Sequence, residues 1–74
     1  MPVQIRMDHT GDTRFTFDAA DEAAVAEAEA RFKELTGKGF RAAALGESGE
    51  PGRLLKEFDP TVERTLFIPA LQGG

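Results

Sequence analysis

The chain has 74 residues, 13 of them acidic and nine basic, for a net charge of −4. That length makes a single domain, named here as residues 1–70 with a tail at 71–74, whose core supplies about 3–5 kcal/mol of net stability. With no cysteine there is no disulfide framework, thiolate metal site or thiol nucleophile; the acidic balance argues against binding a phosphate backbone.

No apolar run approaches the roughly 20 residues that span a bilayer, and no basic-then-apolar leader opens the chain. A soluble cytoplasmic monomer without nucleic-acid or membrane partners is therefore expected.

In "VQIRMDH", Val3, Ile5 and Met7 alternate with Gln4, Arg6 and Asp8, the period-2 pattern of a strand with one buried face. "TGDT" follows as a turn in which Gly11 is free to take positive φ. "RFTFD" places Phe15 and Phe17 on one face, and the two runs together predict a β-hairpin. From Ala19 to about Thr36 the chain is rich in Ala and Glu, both strong helix formers. Asp18 or Asp21 supplies the N-cap. Val25, Ala28, Phe32 and Leu35 recur at steps of three, four and three, giving one apolar face. Glu27 with Arg31 and Glu29 with Lys33 form i,i+4 pairs on the solvated side. Gly37 or Gly39 ends the helix in the left-handed conformation.

"GFRAAALGES" is a weaker strand candidate, because alanine is a poor strand former. "GEPG" is turn chemistry. "RLLKEF" fits a short strand or one helical turn, and Asp59-Pro60 marks a further turn. "RTLFIPAL" is apolar on both faces at Leu66, Phe67 and Ile68, as suits a central strand covered on both sides. Pro69 lacks a donor, so pairing should weaken there. The order predicts an α+β fold: one helix packed across a mixed four- to five-stranded sheet, with the 65–68 strand between its neighbours and parallel to Val3–Met7. That is the β-grasp arrangement.

His9 beside Asp8 and Asp12 is better read as a solvated loop histidine than as a metal ligand or acid–base group. "GESGEPG" has the glycines of a phosphate loop, but its glutamates repel phosphate, so it is a turn. The acidic helix face is a solvated face that would meet only a basic partner. Phe15, Phe17, Phe32 and Phe67 are expected in the core. Phe40 and Phe58, each near a turn, are candidates for a partner surface.

The whole chain resembles the ubiquitin-like superfamily in length, element order and ending. "VQIRMDHTGDTRFTF" is similar to the opening hairpin of ubiquitin, and "RTLFIPALQGG" to its final strand and diglycine. "FIPALQGG" is closer still to the prokaryotic sulfur carriers, such as the small subunit of molybdopterin synthase, and bacterial ubiquitin-like proteins end similarly. Gln72 stands where ubiquitin has a basic residue, and "PTVERT" replaces the polar turn usual before the last strand of the sulfur carriers.

The resemblance implies a protein that is not itself an enzyme and holds no cofactor. Its terminal carboxylate, at Gly74, would be adenylated by an adenylyltransferase partner that uses ATP, for thiocarboxylate formation or conjugation. Gly73 and Gly74, lacking Cβ atoms, would let the tail enter a narrow channel; Leu71 and Gln72 would line its mouth. The rival reading is a β-grasp adaptor of a mobile element or phage, binding through its sheet face or acidic helix.

Overall fold

A computed structural model of the chain describes residues 1–46 and 51–70. Strands β1 (Val3–Asp8) and β2 (Gly11–Thr16) form the expected hairpin, paired residue for residue from Val3↔Thr16 to Asp8↔Gly11. At the turn the Asp8 carboxylate accepts the Thr10 N–H at 2.9 Å, and Gly11 takes φ +121°, a conformation costly to any residue with a Cβ. Helix α1 (Glu22–Gly37) starts three residues later than the composition suggests. Asp18 accepts the Ala20 N–H in a preceding turn, and Asp21 is the N-cap, accepting from Ala23 and Ala24. The Asp21 carboxylate thus replaces the backbone partners that the first helical turn lacks. Gly39, at φ +100°, turns the chain into β3 (Phe40–Leu45).

Of the segment read as strand or helical turn, Arg53–Leu55 is strand and the residues after it are not; strand β4 (Pro51–Leu55) also takes in Pro51 and Gly52, read as part of a turn, and the final strand is β5 (Arg64–Pro69). One five-stranded mixed sheet results, in the order β2-β1-β5-β3-β4. β5 lies at its centre, parallel to β1 and antiparallel to β3, as its two-sided apolar run predicts. Pairing does not stop at Pro69. That residue lies opposite Phe40, and the Ala70 N–H donates to the Gly39 carbonyl at 2.9 Å.

The helix stripe covers one face of this sheet. Ala28, Phe32 and Leu35 are buried, while Val25 is half-buried. Phe32, Leu35, Ala42 and Phe67 form the core cluster, with Phe40, Leu55 and Phe58 packed against it. Phe32 meets Phe67 edge-on at 5.6 Å and Phe58 at 6.1 Å, and Phe17 meets Phe58 at 6.0 Å. Such aromatic contacts add about 0.5–1.5 kcal/mol each beyond burial.

β1 departs from its simple alternation. The contact of Phe67 with the helix fixes which sheet face α1 covers, and Phe67 lies opposite Arg6. Gln4 and Arg6 therefore face the helix; Val3, Ile5 and Met7 face away. Gln4, expected in solvent, is only 1% exposed. Its Nε2 donates to the Ala28 carbonyl at 2.9 Å, and its Oε1 accepts from Arg31 Nη1 at 2.8 Å. Arg31 is thereby drawn inward, away from the expected pairing with Glu27. Its guanidinium carbon sits 4.1 Å from the centroid of the Phe15 ring. Phe15 is half-buried under this cation rather than in the core. The Glu29–Lys33 pair does form, at 3.9 Å.

Candidate functional site

Two regions offer themselves: the sheet end from which the tail departs, and the sheet face that α1 leaves open. At the first, β5 runs out between β1 and β3, with Ala70 held to Gly39. Because β1 is parallel to β5, the His9-Thr10 turn lies at the same end. The helix C-cap Lys38 precedes Gly39, Arg41 lies opposite Ile68, and Lys56 follows the last residue of β4. This end of an acidic protein thus gathers three cations. Beside them, a shallow hollow is floored by Phe40, Ala42 and Leu55 and rimmed by Arg41 and Lys56. Leu71, Gln72, Gly73 and Gly74, the residues expected to enter a partner's channel and react, lie outside the described residues.

At the second region, the strand registers put Val3, Ile5 and Met7 beside Leu66 and Ile68, Ala43 and Leu54. Ile5 and Ala43 lie low, but Met7 is 44%, Ile68 38% and Leu54 61% exposed. The residues that the sequence suggests for a partner surface are Phe40 and Phe58. Both are half-buried, with Phe40 flooring the hollow above and Phe58 lining another beside Phe32. The signal for the open face was present in the alternation of β1. Val3, Ile5 and Met7 share a face, but alternation alone does not say which face a single helix will cover.

Two carboxylates are set by local geometry. The Thr10 hydroxyl and then its N–H hold the Asp8 carboxyl below the usual range, outweighing partial desolvation. Asp59 is lowered in the same way by the Thr61 hydroxyl and N–H, with Arg53 adding a smaller effect. Both are turn devices. His9 is exposed at its hairpin turn. Among the described residues, no group of three His, Cys, Asp or Glu side chains is placed to hold a metal ion, and no helix is long and apolar enough to cross a membrane.

Comparison with protein-family models, with curated proteins and with solved structures finds no match.

Proposed function

We propose that this protein is a ubiquitin-like β-grasp carrier or modifier, activated at the carboxylate of Gly74. A helix packed on one mixed sheet, with parallel β1 and β5 side by side, is compatible with that fold. The observation that carries the reading is the position of β5. The strand leading into "ALQGG" is central, and its hydrogen bonding persists through Ala70. A tail springing from such a strand can be drawn into a partner without loosening the domain, since β5 is held by β1 through Phe67 and by β3 through Pro69.

In the proposed reaction the Gly74 carboxylate oxygen attacks the α-phosphorus of ATP on an adenylyltransferase and pyrophosphate leaves. A sulfur or amine nucleophile then attacks the acyl carbon and displaces AMP. The chain supplies the carboxylate and the partner supplies the catalytic groups. Deleting Gly73 and Gly74 should abolish ATP–pyrophosphate exchange with that partner and leave thermal stability nearly unchanged. Intact-mass spectrometry of protein from its native host distinguishes the two fates. Sulfur in place of one carboxylate oxygen marks a carrier, and a branched peptide joining Gly74 to a lysine marks a modifier.

The exposed Met7, Leu54 and Ile68 favour a second reading, an unconjugated adaptor that binds through the open sheet face. Full complementation of a gene deletion by the truncated protein would establish that reading over the first.

A further inference from the structure

The sheet has two edges, and they are not alike. β4 is five residues long and begins at Pro51, which has no N–H to offer. Its pairing with β3 shifts register between Ala43 and Leu45, and a Cβ at Gly52 would come within 2.6 Å of the Ala44 carbonyl oxygen. Short length, proline and bulge all blunt an edge. β2 has none of these protections. It has six residues, contains no proline and keeps unbroken register with β1.

One hydrogen bond identifies which β2 groups face outward. The Phe17 N–H donates to the Pro2 carbonyl at 3.0 Å, continuing the Val3↔Thr16 register. Backbone groups alternate along an antiparallel strand, so Gly11, Thr13 and Phe15 also turn inward to β1. Asp12, Arg14 and Thr16 direct their N–H and C=O groups away from the sheet. The free row ends at Thr10, whose N–H is taken by Asp8.

The charged side chains on that row are Asp12 and Arg14, 50% and 68% exposed and 3.4 Å apart. Like charges along an edge repel a second copy of it, whereas opposite charges two residues apart are self-complementary under a two-fold axis. We propose that the β2 edge pairs antiparallel with the β2 edge of a second copy of this chain, in a register centred on Thr13. Asp12 of each copy then lies opposite Arg14 of the other in a hydrogen-bonded pair. Four backbone bonds and two cross-strand ion pairs form, and two five-stranded sheets become one. Centring on Asp12 or Arg14 would oppose like charges. The Thr13 register also sets each Phe15 opposite Gly11 of the other copy, where there is no side chain to obstruct the ring.

This contact is smaller than the roughly 1,200 Å² of a stable interface. It is a reversible association, and the expected monomer is its dilute form. Sedimentation equilibrium and amide NMR of the full chain, from about 10 μM to about 1 mM, spans the range where so small a contact assembles. The average mass should rise towards two chains, and the amides of Asp12, Arg14 and Thr16 should shift and gain exchange protection with concentration. Arg14→Pro removes an outward donor that the fold does not use, and should hold the chain monomeric with its circular dichroism intact. Asp12→Arg should weaken association about tenfold or more, and adding Arg14→Asp should restore it, because the swapped pair is again complementary. A one-chain mass throughout would overturn the proposal. So would association that Asp12→Arg leaves unchanged, or concentration-dependent shifts confined to Met7, Leu54 and Ile68.

Discussion

Gln4 offers the sharpest test of how the helix is held to the sheet. Its side chain is 1% exposed and spends both ends on α1, one on the Ala28 carbonyl and one on Arg31. A neutral buried hydrogen bond contributes about 0.5–1.5 kcal/mol and one to a charged group about 1.5–3. Two circumstances reduce the loss on substitution. The Ala28 carbonyl retains its place in the helical ladder, and Arg31 is only half-buried, so neither is left as an orphan. Gln4→Met keeps most of the volume and removes both bonds, and should cost about 1–3 kcal/mol. Gln4→Ala adds a void and should cost about 2–4 kcal/mol. The single core of a domain this small supplies about 3–5 kcal/mol of net stability, so the second variant loses a large share. The chain has no Trp or Tyr, so urea unfolding is best followed by far-ultraviolet circular dichroism, comparing midpoints at constant slope. Arg31→Ala in the same cycle should show coupling of about 1 kcal/mol or more. A Gln4→Met protein within about 0.5 kcal/mol of the parent, uncoupled to Arg31, would refute the claim that this strap fixes the helix.

Phe32→Ala should cost about 3–5 kcal/mol, enough to leave the domain largely unfolded at 37 °C, because Phe32 contacts both Phe58 and Phe67; a midpoint near that of the parent would place the core elsewhere. Gly52→Ala should destabilise by about 1–3 kcal/mol, since its Cβ would strike the Ala44 backbone, whereas Gly37→Ala meets nothing and should be neutral or stabilising. Asp8 and Asp59 carry lowered folded-state pKa values. Their contribution is complete above the unfolded pKa and is lost as pH falls through the folded one. Thr10→Val should raise the Asp8 pKa in a carboxyl NMR titration and lessen the acid-linked loss of stability; an unmoved Asp8 would show that the hydroxyl is not the cause.

How much of this was legible in the sequence depended on whether a pattern had one solution. The apolar run at Leu66, Phe67 and Ile68 has few places to go except a sheet centre, and β5 is there. The stripe of Ala28, Phe32 and Leu35 admits only one buried helix face. Alternation in β1 admits two answers, because a sheet with one helix covers either set. The apolar set was the natural choice, but the helix covers Gln4, whose amide can satisfy a carbonyl and a guanidinium together. Phe15 followed from the same ambiguity: it is on the helix face, but at the edge strand, where Arg31 rather than the core meets it. The exposed face is a separate case: Met7, Leu54 and Ile68 stand exposed on three separate strands. No local window contains them, and only the registers bring them to one face.

The central place of β5 bears on how the protein is made in a cell. Val3 pairs with Arg64, so the middle of the sheet joins segments from nearly opposite ends of the chain. A ribosome releases β1, β2, α1 and β3 first, with the flanks of β1 and β3 that β5 will occupy still bare. At about 5–20 residues per second, the stretch from Leu45 to Pro69 takes roughly one to five seconds to synthesise. Until β5 follows, the flanks of β1 and β3 that it occupies stay unpaired and the seat of Phe67 stays uncovered, the features that draw chaperones and neighbouring nascent chains. Insertion of β5 then closes both edges in one step.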